Sequence, residues 1–248
     1  MNFIRASIRF PVFVIATLAL YWFWRITAFA VPNKVLWRQI TFHNWARIFA
    51  RVAGMKIEVI GTPPTPPFFL VCNHLSYVDI PALRLAANGV FVAKSDIKDW
   101  FVAGPIICNM GNIFIDRKNR RDIPRAGAEI IKKLNEKEGV IVFPEGTSTK
   151  GEDVLPFNSS FMEFAAKTEL PVSYASIRYA TPPGGPTPSE RVCWWDDISF
   201  VNHLWRLFSL KGFTAIITFG EEPISDPNRK ELAAHLREKV KEKFIPML

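Results

Sequence analysis

The chain has 248 residues, of which 49% are apolar and 13% aromatic, and its formal net charge is +8. This length can bury one large core, and eight tryptophans with 21 phenylalanines are more typical of a membrane interface than of a purely aqueous surface. The basic residues form no compact stripe or nucleic-acid-binding motif, so an anionic bilayer fits the charge better than nucleic acid does. Three scattered cysteines without metal-like spacing predict reduced thiols in a cytosolic setting.

An uncharged apolar segment occupies residues 10–24, and apolar residues resume after one arginine as far as Val31. A helix over residues 10–24 would reach about 22 Å, which is short of the roughly 30 Å hydrocarbon core. Two structures therefore stay open: a span over residues 10–33, or a segment that turns back within one leaflet or lies along it. Basic residues flank both ends, as expected if both stay on the cytoplasmic side: Arg5, Arg9, Arg25, Lys34 and Arg38. No small-residue cleavage site supports a signal peptide, and we predict a monotopic or re-entrant anchor.

A second helix is predicted over residues 33–53, where apolar residues recur at helical spacing beside a basic side. Such a helix suits a membrane surface, although packing on the protein's own core explains the pattern nearly as well. The proline-rich segment 62–67 is a stiff, extended loop. We predict membrane-anchoring helices over residues 1–54 and a single larger domain over residues 55–248.

Strands and helices alternate through the larger domain, which indicates an α/β fold with a mixed central sheet flanked by helices. Predicted strands occupy residues 56–61, 68–72, 89–93, 112–116, 140–143, 171–179, 191–195 and 213–219. One predicted helix contains Asp79 and ends at Asn88. Others run from Asp122 to about Glu138, from Phe161 to Lys167, and onward from Asp226.

Polar residues follow the apolar strand at residues 68–72, where α/β folds place their chemistry. Asn73 and His74 come first, and Asp79 lies five residues after the histidine. A carboxylate bonded to one ring nitrogen would fix the tautomer and leave the other nitrogen as a base. By itself this spacing is weak, because a hydrogen-bonded loop histidine is the more common case.

A second strand end, Phe143 to Thr147, reads F-P-E-G-T, and with it the sequence resembles the glycerolipid acyltransferase family, which includes 1-acylglycerol-3-phosphate acyltransferase. The family's N-H-x-x-x-x-D block matches Asn73 to Asp79. Its G-x-I-F-I-D-R block matches Gly111 to Arg117, and a proline-led strand matches Leu170 to Val172. The blocks occur in the family's order over residues 55–220.

The resemblance implies that His74 is the general base and that Asp79 orients it, with no acyl-enzyme intermediate. The substrate-binding residues it implies are Asn73, Arg117, Glu145, Gly146 and Thr147. Arg117 would meet a phosphate through paired hydrogen bonds, or else form a surface ion pair. Glu145 would shape the acceptor site or bond loop amides, and backbone N–H groups around Gly146 are candidate oxyanion donors.

Two departures from the family pattern bear on the acceptor. Ser148 stands where many enzymes that use lysophosphatidic acid have arginine, and Asn158 stands where they often have lysine. Lys150 could replace the missing charge. We expect 1-acyl-sn-glycerol-3-phosphate as acceptor, giving phosphatidic acid, with a less anionic lysolipid such as lyso-ornithine lipid as the alternative. The run Trp194 to Asp197 is interpreted as the end of a surface strand.

The resulting hypothesis is an O-acyltransferase of phospholipid biosynthesis that uses acyl-CoA or acyl carrier protein as co-substrate, with no cofactor and no metal. Its partners are a membrane lipid substrate and the bilayer, not nucleic acid, and its expected location is the cytoplasmic face of the cell inner membrane. A non-catalytic lipid-binding protein and a metal hydrolase that uses His74 and Asp79 are the alternatives of other classes.

Overall fold

A central β-sheet organises the protein, whose structure, a computed structural model, describes residues 2–101, 103–116 and 122–247. Its strands are β1 (Met55–Ile60), β2 (Phe68–Cys72), β3 (Gly89–Lys94), β4 (Ile113–Ile115), β5 (Gly139–Val142), β6 (Val172–Ala180) and β7 (Phe213–Phe219). Within the described residues they form one seven-stranded sheet in the order β1-β7-β6-β2-β5-β3-β4. Only the β6–β7 pair is antiparallel among these strand pairs, so the predicted mixed sheet is confirmed.

Strand β2 lies at the centre of the sheet, between β5 and β6, and every one of its residues is buried. Because a parallel strand is covered on both faces, a continuous apolar run suits this position. The carboxyl ends of β2, β5 and β6 meet at one edge, since these strands run parallel. The segments that follow Cys72, Val142 and Ala180 are therefore brought together.

Helices cover both faces of the sheet: α1 (Phe3–Thr27), α2 (Lys34–Ala53), α3 (Asp79–Ala87), α4 (Ala103–Asn109), α5 (Asp122–Asn135), α6 (Glu163–Lys167), α7 (Pro188–Arg191), α8 (Phe200–Phe208) and α9 (Arg229–Lys243). One core lies between the sheet and α2, α3 and α8, and it includes Phe49, Leu83 and Phe208. The second core lies under α5, α6 and α9, and it includes Ile130 and Leu236. The predicted helical flanks are confirmed.

The strand predicted at residues 191–195 is wrong. The helical turn α7 ends at Arg191, and the chain then runs irregularly through Trp194. A capping box at the start of α7 explains the helix, because Thr187 and Glu190 satisfy each other's backbone N–H groups and Pro188 follows the cap. Helix α8 was not predicted.

Helices α1 and α2 form an antiparallel hairpin that packs on the rest of the protein. Trp37 Nε1 donates to Thr27 Oγ1 at 3.0 Å, and Trp45 Nε1 donates to Thr17 Oγ1 at 3.2 Å. Near its start, α1 is tied to the chain after α8, since Arg9 Nη1 donates to the Leu210 carbonyl at 2.7 Å. Near its end it meets α4, where Asn109 Nδ2 donates to the Tyr21 hydroxyl at 3.0 Å. Residues 28–33 separate the two helices, so no single helix covers residues 10–33.

Candidate active site

His74 and Asp79 meet directly at the carboxyl end of β2. The distance from His74 Nδ1 to Asp79 Oδ2 is 2.7 Å. Asp79 is the first residue of α3 and is fully buried, whereas the His74 side chain is 21% exposed. The contact uses Nδ1 and leaves Nε2, on the other side of the ring, available to a substrate.

The Asp79 carboxylate is held by groups from two parts of the chain, the loop at residues 74–76 and strand β6. Oδ2 accepts hydrogen bonds from the backbone N–H groups of Leu75 at 2.8 Å and Ser76 at 3.1 Å, in addition to its contact with His74. Oδ1 accepts a hydrogen bond from the Tyr179 hydroxyl, at the end of β6, at 2.5 Å. Hydrogen bonds to an ionised carboxylate, together with its place in the first turn of a helix, stabilise the negative charge.

The F-P-E-G-T segment packs against His74 from the β5 side. The Phe143 ring stacks on the imidazole, with 4.2 Å between centroids and 13° between planes. The Thr149 N–H donates to the His74 carbonyl at 3.0 Å. The imidazole is thus confined by Asp79 along one edge and by an aromatic ring over one face.

Glu145 uses both carboxylate oxygens to join the two motif loops. Oε1 accepts the backbone N–H of His74 at 2.7 Å, and Oε2 accepts that of Leu155 at 3.1 Å. Burial raises the pKa of the Glu145 carboxyl to about 7, although the two amide donors oppose the rise. These contacts fit the second predicted role of Glu145, in which its carboxylate accepts hydrogen bonds from backbone amides of the loops.

The remaining predicted residues have different surroundings. Asn73 is buried and exchanges two hydrogen bonds with the Ile177 backbone on β6, at 3.0 and 2.8 Å, which fixes the end of β2. Gly146 has a φ of +80°, which favours glycine, and its N–H donates to the Phe143 carbonyl within a turn. That amide is therefore already used, although it was a candidate oxyanion donor. Thr147 is exposed.

Arg117 lies outside the described residues. Its predecessor Asp116 follows β4 at the same edge of the sheet, and β4 is three strands from β2. With about 4.8 Å between adjacent strands, the end of β4 is roughly 14 Å from the end of β2 along this edge.

The positions that depart from the family pattern have partners within the protein. The Ser148 hydroxyl donates to the Trp194 carbonyl. Asn158 caps a helical turn, its side chain accepting from the Ser160 N–H at 3.0 Å. Lys150 pairs with Glu152 at 2.5 Å.

Tyr179 and Trp194, which were not among the predicted site residues, also contact the site. Tyr179 binds Asp79, and Trp194 donates its N–H to the Leu75 carbonyl at 2.8 Å while its own carbonyl accepts from Ser148. The alternating pattern of β6 could have indicated that Tyr179 is buried, but nothing in the pattern identifies its partner 100 residues away.

Comparisons with known proteins agree on one family. A family model described as acyltransferase matches residues 56–178. A lyso-ornithine lipid O-acyltransferase of Rhizobium meliloti is 28% identical over 212 residues, covering 80% of this chain and 72% of the relative. A 1-acyl-sn-glycerol-3-phosphate acyltransferase of Neisseria gonorrhoeae is 30% identical over 188 residues, covering 75% and 72%. The crystal structure of the 1-acyl-sn-glycerophosphate acyltransferase PlsC from Thermotoga maritima has the same fold, with a TM-score of 0.71, 23% identity, and coverage of 98% of this chain and 95% of that one.

Proposed function

Because the chain belongs to the acyltransferase family, we propose that it transfers a fatty acyl group from an acyl thioester to the free hydroxyl of a lysolipid. The observation that carries the proposal is the 2.7 Å contact between His74 Nδ1 and Asp79 Oδ2 in the N-H-x-x-x-x-D block. This contact fixes the imidazole as the tautomer whose Nε2 can accept a proton. The His74 side chain is 21% exposed, and we propose that the lipid hydroxyl reaches Nε2 from this exposed side.

The reaction needs no acyl-enzyme, because the thioester is already activated. His74 Nε2 takes the proton of the acceptor hydroxyl as its oxygen forms a bond to the thioester carbonyl carbon. The tetrahedral intermediate then breaks the carbon–sulfur bond, and the leaving thiolate receives the proton from the imidazolium. Asp79 stabilises the imidazolium between these two proton transfers.

Two acceptors fit this chemistry. The first is 1-acyl-sn-glycerol-3-phosphate, which would give phosphatidic acid, with Arg117 proposed to bind the phosphate. The second is lyso-ornithine lipid, which is favoured by a specific observation. Ser148 and Asn158 stand where phosphate-binding charges are expected, both are engaged within the protein, and Lys150 is neutralised by Glu152. The names of the relatives include both activities.

A direct assay tests the reaction and the acceptor together. Purified protein in vesicles would receive each of the two lysolipids with either acyl-CoA or acyl carrier protein as donor, with and without a chelator. We expect transfer that survives chelation and is lost in His74→Ala. The matched control is His235→Ala, since His235 lies exposed on α9.

Full activity of His74→Ala would overturn the base assignment, and loss of activity on chelation would favour the metal hydrolase. No transfer to either lysolipid, with lipid still bound, would favour the non-catalytic alternative.

Membrane attachment is proposed through α1. Its 25 residues extend about 37 Å and are apolar enough to cross a bilayer. Hydrogen bonds tie both halves of α1 to the domain, through Arg9 and Tyr21, so a spanning orientation would carry the domain into the hydrocarbon. An exposed stripe of apolar residues follows its outer face: Ile4, Ile8, Val12, Ile15, Trp22 and Ile26. We therefore favour a monotopic anchor that lies in one leaflet, at the cytoplasmic face of the cell inner membrane.

A further inference from the structure

Tyr179 contacts the predicted catalytic pair from β6, seven residues beyond Val172, where the proline-led block of the family pattern ends. Its hydroxyl donates to Asp79 Oδ1 at 2.5 Å, and the two residues are 1% and 0% exposed. We propose that Tyr179 is a positioning residue, whose hydroxyl fixes the Asp79 carboxylate so that Oδ2 stays aligned with His74 Nδ1. This inference rests on the proposed function, because it requires His74 to be the base.

The two oxygens of Asp79 are bonded unequally. Oδ2 contacts the backbone N–H groups of Leu75 and Ser76 as well as His74. Oδ1, among the described residues, receives its hydrogen bond from Tyr179. Without the phenol, Oδ1 would lose this hydrogen bond, and the carboxylate could turn about its Cβ–Cγ bond towards other donors. The Tyr179 hydroxyl therefore fixes the plane of the Asp79 carboxylate.

The phenol is a rigid donor. Tyr179 lies at the end of β6, next to β2, and its ring meets Phe213 edge-on with 5.9 Å between centroids. Burial raises the pKa of the Tyr179 hydroxyl well above its usual range, and the nearby Asp79 charge adds to the rise. The hydroxyl thus keeps its proton and donates throughout the pH range of an assay.

Other titratable groups near Asp79 in the described part of the chain include Cys72, Cys193 and Glu145. The Cys72 thiol on β2 and the Cys193 thiol after α7 are both buried, and burial raises the pKa of each, so both stay neutral. Glu145, on the β5 side, has a pKa of about 7 because of its burial, and its titration will contribute to any pH profile. A comparison between Tyr179 variants cancels that contribution, since Glu145 is present in all of them.

Tyr179→Phe removes the hydroxyl and keeps the ring. We expect kcat to fall by about tenfold to a hundredfold, with KM changed by less than about threefold, since the hydroxyl orients the base and does not touch substrate. A carboxylate that loses a donor is less stabilised as an anion, so the pair binds a proton more readily. The acidic limb of the pH–kcat/KM profile should therefore move to higher pH, by about half a unit to one unit.

Two further variants make the test specific. Tyr174→Phe is the matched control, because Tyr174 is a buried tyrosine of the same strand in the second core, and we expect unchanged kinetics. 3-Fluorotyrosine at position 179 is a stronger donor than tyrosine, and it should move the acidic limb to lower pH. Thermal unfolding of each variant would show whether a loss of activity merely reflects a loss of stability.

The outcomes separate this inference from the proposed function. If His74→Ala is inactive while Tyr179→Phe matches Tyr174→Phe in kcat and pH profile, the role of Tyr179 is refuted and the base assignment stands. A lower kcat with an unmoved acidic limb would assign Tyr179 to packing alone, and that also refutes it. Full activity in His74→Ala would overturn both.

Discussion

The Glu145 carboxylate accepts the backbone N–H of His74 at 2.7 Å, so a residue of one motif holds the main chain of the other. Phe143, two residues earlier, stacks on the imidazole of the same histidine. Main chain and ring are therefore both fixed from β5, the strand adjacent to β2. The base is positioned jointly by two loops that lie about 70 residues apart, as expected where parallel strands end side by side.

Glu145→Gln tests this link. Glutamine has one acceptor oxygen and one NH₂ group. The NH₂ group would face the N–H of either His74 or Leu155, and because two donors cannot bond to each other, one hydrogen bond is lost. We expect kcat to fall by about tenfold because the His74 loop loosens. Glu231→Gln is the matched control, since Glu231 is an exposed glutamate on α9. Equal kcat values in the two variants would contradict the positioning role.

The raised pKa of Glu145 also predicts how stability depends on pH. Its folded-state pKa of about 7 exceeds the ordinary value of 4.5, because burial disfavours the charged form. The folded protein therefore binds this proton more tightly than the unfolded chain does. The resulting stabilisation is complete below about pH 4.5 and is lost as pH rises through 7, by about 3 kcal/mol in total.

Denaturant unfolding at several pH values measures this effect. As pH rises from 4.5 to 7, the unfolding free energy of wild type should fall relative to that of Glu145→Gln. Above pH 8 the difference between the two proteins should stay constant. A difference that is constant from pH 4.5 to 8 would show that the Glu145 pKa is not raised.

The sequence predicts the strands and motif loops well where local pattern and burial agree. The apolar run Phe68–Cys72 is a strand because a central parallel strand is buried on both faces. Asp122 begins a helix as expected of an acidic residue with Pro124 in the first turn. The contact between His74 and Asp79 is implied by the resemblance to the family's N-H-x-x-x-x-D block, since the five-residue spacing alone is a weak signal.

Long-range hydrogen bonds explain what the sequence does not predict. Cys193 and Trp194 have strand-like character, but the Trp194 N–H and carbonyl bond to Leu75 and Ser148 and not to a neighbouring strand. The sequence pattern predicts that Arg5 and Arg9 flank a membrane segment. In the structure they bind the Ser209 and Leu210 carbonyls after α8. Such partners lie 46 to 204 residues away, beyond any periodic pattern.

Ser148→Arg tests what decides the acceptor. The variant restores the charge found in many family members and breaks the bond to the Trp194 carbonyl. We expect the ratio of kcat/KM for 1-acyl-sn-glycerol-3-phosphate to that for lyso-ornithine lipid to rise about tenfold, since a guanidinium binds phosphate through paired hydrogen bonds. Ser148→Ala breaks the same bond without adding charge and should leave the ratio unchanged. If the ratio rises equally in both variants, the cause is the broken hydrogen bond to Trp194 and not the added charge.

Charge in the exposed stripe of α1 should weaken membrane binding. Ile8 and Ile15 are 60% and 66% exposed. Burying one isoleucine in lipid contributes about 2 kcal/mol, so each substitution to aspartate should lower vesicle affinity by at least about tenfold. Co-sedimentation with anionic vesicles measures the loss. Ile131→Asp, an exposed isoleucine of α5 on the opposite face of the sheet, should bind like wild type. Binding that is unaffected by Ile8→Asp and Ile15→Asp would place the membrane contact elsewhere.

Arg9 should hold α1 on the domain. Its Nη1 donates to the Leu210 carbonyl at 2.7 Å and lies 3.4 Å from the Phe208 and Ala53 carbonyls, at the ends of α8 and α2. A cation at helix carboxyl termini is stabilised by their dipoles, and a charge-assisted hydrogen bond contributes about 2 kcal/mol. Arg9→Met should therefore lower the unfolding free energy by about 2 kcal/mol and speed amide exchange in residues 208–211. Arg47→Met, which removes an exposed arginine from the interior of α2, should change neither. If the two variants unfold alike, the Arg9 contacts do not stabilise the packing of α1.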